Sequence, residues 1–552
     1  MNPIVVIMLI AFFAVLLGVG LYSRRHASDV NGFVLGGRSV GPWLTAFAFG
    51  TSYFSAVIFV GYAGQFGWRF GLASTWVGLG NAFIGSLLPW AILGRRTRVM
   101  TQHLNSRTMP DFFGLRFLSP GLKTVAALIV FVFLIPYTAS LFNGLSRLFT
   151  MAFPQIDYAW CVVVMAVLTG VYVIIGGYMA TAINDFIQGV IMIVGIVAVI
   201  AAVLHSQGGF SEAIARLSQV SAAPTEGTQQ LGAFTSFFGA DPLFLLFVVI
   251  LTSLGTWGLP QMVGKFYAIK NEDSIRKGTV ISTVFAIIVA GGCYFLGGFG
   301  RLFSESVSYQ ADGVTPVYDS IIPAMLSGLA PVLIGVVLVL VLSASMSTLS
   351  SLVLTSASTI TLDLIAPAAK RELPERRKML VMRGFIAFFI VISAVIAIVQ
   401  AKSSVMFIAQ LMGVSWGALA GAFLAPFLYG LFWKRTTRAA CWVSFATGVG
   451  LSVLQLVKSM TGFSFGAAFL DDVLFLDPLR LLCHAARAGA CAARLAVHAA
   501  HGRAAGGADV CLLSGDHSCP GDGSTGREKI KNVRFRHETI DVGKRSRRAR
   551  PL

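Results

Sequence analysis

Twelve runs of about twenty apolar residues recur along this chain with little between them. An α-helix of that length crosses the hydrocarbon core of a bilayer, and it satisfies its own backbone N–H and C=O groups where no water can. The runs lie near residues 3–22, 43–64, 72–94, 124–148, 158–176, 184–204, 243–263, 279–300, 330–356, 382–400, 404–431 and 439–458. No alternating strand pattern or soluble module interrupts them. Only the loops at 205–242 and 301–329 are long. The chain therefore reads as an all-α integral membrane protein. With 56% hydrophobic residues, 12% charged residues and a mean hydropathy of +0.78, the composition excludes an ordinary water-soluble fold. The first run has almost no charge before it and no small-residue cleavage pattern after it, so it reads as a retained span rather than a signal peptide.

Charge alternates from loop to loop. Lys and Arg gather in every second connection, in groups running Arg24–Arg38, Arg95–Arg116, Lys265–Lys277, Lys370–Arg383 and Lys434–Arg438. The opposite connections hold only Arg69, Arg216, Arg301, Lys402 and Lys458. The positive-inside rule then puts the N-terminus outside and the basic loops in the cytoplasm of a cell membrane. The formal net charge of +18 follows from that topology plus a basic tail, with no nucleic-acid partner needed. Seven scattered cysteines suggest neither a disulfide framework nor a metal cluster.

The tail is compositionally foreign. Residues 466–552 hold Cys483, Cys491, Cys511 and Cys519 and five of the eight histidines, then end in a Lys544–Arg550 basic run. Metal-ligand spacing is missing, which argues against a zinc module. A basic surface-binding arm is the other ordered reading. We read residues 1–465 as the membrane domain and 466–552 as an Ala/Arg/Gly-rich extension, disordered or translated out of frame.

Two spans carry more than apolar bulk. Residues 343–351 read Ser-Ala-Ser-Met-Ser-Thr-Leu-Ser-Ser, late in the run Pro331–Val353. On a helix, positions 344, 347, 348, 351 and 355 share one face, a ladder of neutral oxygens with no carboxylate. Such oxygens suit a weakly held alkali cation, while a divalent ion recruits carboxylates. Alternatively, the hydroxyls glue helices together or bond their own backbone. The second span places Gly50, Thr51 and Ser52 mid-membrane, where a helix is easily broken and its carbonyls exposed. The span at 243–263 repeats the style with Thr252, Ser253, Gly255, Thr256, Gly258 and Pro260. These are spans two and seven, five apart, which points to a five-plus-five inverted repeat around a central site. Tight helix packing is the alternative reading of the small residues.

Several segments together resemble the sodium/solute symporter family, in its bacterial proline/pantothenate branch. They are Tyr172–Gly189, Phe33–Ser39, Gly258-Leu259-Pro260, Met346–Ser350, and Tyr137 with Ser140, Arg147, Leu148 and Phe149. The resemblance covers about residues 1–460. It implies a LeuT-type core of spans two to eleven, a peripheral first span, and a thirteenth helix that an out-of-frame tail would lose. It also implies a sodium site formed by the carbonyls of Thr51, Phe54 and Ala344 and the hydroxyls of Ser347 and Thr348. Substrate-lining positions carried over are Ser55, Val57, Tyr137, Thr252, Thr256 and Pro260. The proline branch has aromatic residues where this chain has Val57, Thr252 and Thr256, and an Asp where it has Tyr53; Tyr53 resembles the pantothenate branch.

The expected function is thus sodium-coupled symport of a small organic solute (an amino acid, carboxylate or vitamin such as pantothenate or proline) by alternating access. Sodium is the co-transported ion, and no organic cofactor or catalytic residue is expected. Asp185, the one acidic residue within the predicted spans, matches a family position tied to gating, with helix capping beside Asn184 as its alternative role. Arg38 and Arg116 read as topology anchors. The rival classes are a polytopic lipid or glycan transferase and a transporter-like sensor. The loops offer neither a His/Asp cluster nor a phosphate loop for the first, and no signalling module is evident for the second.

Overall fold

The computed structural model describes residues 3–222, 231–310, 313–369, 371–403 and 408–461. The foreign tail, 466–552, lies outside them. The described residues are almost wholly helical, with two isolated bridges, Val40 to Ile269 and Tyr309 to Pro316. The helices used below are α1 (Pro3–Ser23), α2 (Pro42–Tyr53), α3 (Pro120–Ala152), α4 (Tyr158–Ser206), α5 (Pro242–Leu254), α6 (Pro260–Ala268), α7 (Pro331–Thr359) and α8 (Ile408–Phe432).

Nine helices among the described residues are long and apolar enough to cross a membrane, and α5 with α6 forms a tenth, bent by 51°. Two of the nine, of 47 and 49 residues, are long enough for two crossings. At 1.5 Å per residue, the 49 residues of α4 would run about 73 Å, more than twice the hydrocarbon core. Both long stretches break at a glycine. Gly177 inside α4 has φ 57° and ψ −148°, and Gly71 inside the Val57–His103 stretch has φ 61° and ψ −140°. A side chain strains against this backbone region. It would also collide: a Cβ would lie 2.7 Å from the Phe33 ring at Gly177 and 2.2 Å from the Phe234 carbonyl at Gly71. With each long stretch counted twice, residues 57–70 joined to α2, and the bent pair counted once, the described residues hold twelve membrane-length segments, the number read from the sequence.

The two broken spans are the same joint. After α2 the chain passes through Phe54 at φ −82° and ψ 127°. After α5 and one tight turn it passes through Leu259 at φ −81° and ψ 122°. The preceding residues align: Gly50-Thr51 before Phe54, and Gly255-Thr256 before Leu259. Pro260 then opens α6 at a position where its missing N–H costs nothing.

Helix α7 is the hub. Every residue from Val337 to Leu354 is buried, so it is surrounded on all sides. It packs along α4 and α3 and touches α2. Helix α1 instead buries one stripe, Val5, Phe12, Leu16, Gly20 and Ser23, against α4 and α7. Its other faces are open, as expected of a peripheral span. Close crossings use glycine: a Cβ on Gly67 would sit 2.0 Å from the Gly297 carbonyl oxygen.

Candidate functional site

The joint at Phe54 sets the first cluster. An α-helix leaves its last carbonyls without intrahelical donors, and the extended backbone at Phe54 ends α2 in mid-span. Helix α7 supplies the donors. Ser347 Oγ lies 3.1 Å from the Thr51 carbonyl and 3.0 Å from that of Ala344. Thr348 Oγ1 lies 3.1 Å from each of the Thr51, Phe54 and Ala344 carbonyls. All five residues are buried. The cluster has a surplus of acceptors: two hydroxyl protons serve three carbonyls at five contacts. A small monovalent cation resolves such a surplus, because carbonyl and hydroxyl lone pairs all turn toward it. Five neutral oxygens without a carboxylate hold it weakly enough to release.

Beside this cluster lies an aromatic one. Tyr53 and Tyr137 both pack against Trp416 of α8, with ring centroids 5.8 and 6.2 Å away. Trp416 also covers Gly255 at the second joint, where a Cβ would lie 3.0 Å from the indole. The indole thus stands between the two broken spans. Ser55 is buried with its hydroxyl unpartnered, and Val57 is fully buried beside it in the chain. Of the expected substrate-lining residues, Ser55, Val57 and Tyr137 belong to this region, and Tyr53, the position that resembles the pantothenate branch, joins them. Thr252 and Thr256 are committed elsewhere: the first donates to the Val248 carbonyl at 2.9 Å, the second to the Gly85 carbonyl at 3.0 Å. Pro260 lines a different cavity of about 50 Å³, together with Tyr178, Gln261, Lys265, Ser351 and Thr355.

The surroundings of Lys265 correct three expectations, and Asp363 corrects a fourth. Asp185 does not cap a helix start. It lies eight residues past the Gly177 kink, inside α4 and fully buried, and its Oδ2 faces the Lys265 ammonium at 3.5 Å. Lys265 is not a loop charge. It sits on α6, 3% exposed, and donates to Ser351 Oγ at 2.9 Å. Ser351 Oγ in turn pairs with Ser52 Oγ at 2.8 Å. The hydroxyl ladder therefore has a carboxylate near its lower end, reached through an ammonium. Nor is Asp185 the only buried carboxylate of a span. The helical stretch from Pro331 continues to Ala368 and takes in Asp363, which faces Lys123 at 3.2 Å and accepts from Thr108 Oγ1 at 2.6 Å. Arg38 and Arg116 act as clamps, donating to the carbonyls of Ser106 at 2.7 Å and Gly430 at 3.0 Å.

The sequence matches the sodium:solute symporter family over residues 33–448. The chain belongs to that family. This symporter is 28% identical over 460 residues to sodium/proline symporter 2 of Staphylococcus saprophyticus, covering 82% of this chain and 86% of that one. It is 28% identical over 465 residues to the osmoregulated proline transporter OpuE of Bacillus subtilis, covering 84% and 90%. Among solved structures it resembles the substrate-bound outward-open state of a Na+-coupled sialic acid symporter. The TM-score is 0.69 at 17% identity, over 89% of this chain and 97% of that one. The fold is therefore LeuT-type. The protein is a multi-pass sodium-coupled symporter of a small solute, with sodium as the co-transported ion.

Sequence reasoning missed Trp416 and Lys265 in the symporter's core. Trp416 carried a signal, since tryptophan in membrane helices favours the interfaces and this one falls mid-span among Gly413, Ser415 and Gly417. Lys265 carried none, because it ends an apolar run just as an anchoring lysine does.

Proposed function

We propose that the symporter imports a small amino acid, or a carboxylate of similar size, together with a sodium ion held by Thr51, Phe54, Ala344, Ser347 and Thr348. The observation that carries this is the buried five-oxygen cluster with more acceptors than protons. The solute pocket lies next to it, between Tyr53, Ser55, Val57, Tyr137 and Trp416. Three aromatic faces suit a compact apolar body, and a nearby cation suits a carboxylate. Two similar chains are named as proline transporters, which supports a zwitterionic solute. Tyr53 and Val57 argue for one that differs from proline in shape.

Sodium entering from outside ties α2 to α7 and orders the pocket beside Phe54, so each ligand raises the affinity for the other. Both joints then bend and the opposite side opens. Loop charge supports an outside N-terminus in the cell membrane. No step in this cycle needs a catalytic group or a nucleic-acid partner. The transport unit ends by about residue 465, so a chain truncated there keeps sodium-driven uptake if it reaches the membrane. Uptake of labelled amino acids, carboxylates and vitamins into vesicles, with and without a sodium gradient, identifies the solute. Sodium-independent accumulation of every one of them would refute the reading.

A further inference from the structure

Two buried groups of opposite charge stand beside the proposed sodium site, and coupling at that site does not require them. Lys265 and Asp185 are 3% and 0% exposed. The ammonium faces Asp185 Oδ2 at 3.5 Å, Ser351 Oγ at 2.9 Å and the Tyr178 ring at 5.4 Å from its centroid. Ser351 lies one helical turn beyond Ser347 and Thr348 on α7, and its partner Ser52 follows Thr51 on α2. The two helices that build the five-oxygen cluster therefore also frame the ammonium. Tight ion pairs in proteins close to about 2.7–2.9 Å, and this one stays open at 3.5 Å. The shell around it is richer in polar atoms than the ammonium can satisfy. Neither Asp185 oxygen has a hydrogen bond, and the Tyr178 hydroxyl and the whole Gln261 amide are buried without partners. Lys265, Tyr178, Gln261 and Ser351 line the cavity of about 50 Å³, and one water needs only about 10–15 Å³ of such space.

We infer that Lys265 is a tethered cation: its ammonium fills a second cation position between Asp185 and Ser351, and an alkali ion takes that position when the ammonium is removed. The inference rests on reading the five-oxygen cluster as the sodium site. A carboxylate buried with hydroxyls is a stronger cation ligand than the neutral cluster. Without Lys265 it would be left as an uncompensated buried charge, which is strongly destabilising unless a counter-ion arrives. Within the intact chain the pair is neutral and permanent, so a single sodium accompanies each solute. Lys265 is in this sense a residue that sets stoichiometry.

Counting radioactive sodium bound at saturation to the purified full-length protein in nanodiscs tests this. The intact protein is expected to hold one ion, K265A two, and K265A/D185N one again. The S347A/T348A pair is expected to remove one ion from either background. Two ions on the intact protein, or one on a folded K265A, would overturn the inference. If K265A does not fold, K265M, which keeps the bulk of the side chain without its charge, is counted instead, with two ions expected and one overturning the inference. Retention of sodium by S347A/T348A in an otherwise intact chain strikes instead at the five-oxygen site, a failure distinct from that of the tethered cation.

Discussion

Thr348 Oγ1 carries one proton and faces three carbonyls at 3.1 Å. A hydroxyl so placed is better used as a ligand than as a donor. T348A and S347A each delete one of five oxygens and leave the carbonyls of Thr51, Phe54 and Ala344 in place. Each is expected to raise the sodium concentration for half-maximal uptake about tenfold, which corresponds to ~1.4 kcal/mol. Unchanged sodium activation in vesicles carrying both changes would refute the assignment. In the solute pocket proposed above, Trp416 would act on the solute instead. Its contacts with Tyr53 and Tyr137 are worth about 0.5–1.5 kcal/mol each. W416A is therefore expected to raise the KM for solute about tenfold while sodium binding stays near the original, and W416F to restore most of the loss. Equal damage to sodium binding would show that the indole only holds the bundle together. The spacing of residues 344, 347, 348, 351 and 355 declares a helical face in the sequence, and the family resemblance singles out Ser347 and Thr348 on it; the structure sets both hydroxyls against the Thr51 carbonyl. Lys265 was not legible in the sequence, because its burial depends on Asp185, 80 residues earlier, and no local pattern records that partner.

At the scale of elements, glycines decide where helices stop. Gly177 splits α4 because its φ of 57° is poorly tolerated by a side chain and because Phe33 leaves no room for one. G177A is expected to cost about 1–3 kcal/mol in backbone strain, with added loss from the contact. Thermal unfolding in detergent reads this as a clear drop in Tm. G18A is the control: α1 has open space there, with nothing within 4 Å of the added Cβ. A G177A protein as stable as G18A would contradict the hinge. The sequence revealed both broken spans through their small and polar residues. It could not reveal that Phe54 and Leu259 share one backbone geometry, since one is aromatic and the other aliphatic. What the two share is the Gly-Thr pair four and three residues earlier.

Across the whole molecule, the proposed single sodium ion, a zwitterionic solute and a neutral Lys265–Asp185 pair together would leave one net charge moving inward per cycle. Across 100 mV that gains about 2.3 kcal/mol, or about fiftyfold accumulation before the sodium gradient is counted. Vesicles clamped with potassium and valinomycin should therefore show uptake rising with interior-negative potential. Potential-independent uptake of a neutral solute would require a compensating charge movement that the fold does not supply. The twelve-segment plan was readable in advance because hydrophobic length and loop charge are local properties. The clamps that join the loops, Arg38 to Ser106 and Arg116 to Gly430, were not, because each reaches a backbone carbonyl far along the chain.

The buried Lys265–Asp185 pair has a consequence for biogenesis. Asp185 leaves the ribosome first, inside a helix otherwise ready for lipid. At a helix centre an unpaired Asp or Lys costs about 2.5–3.5 kcal/mol on insertion. Its counter-ion arrives only after 79 intervening residues have been made. Until α6 is synthesised, Asp185 has no counter-ion, so the first half of the repeat is expected to reach its final packing only once Lys265 has entered the bundle.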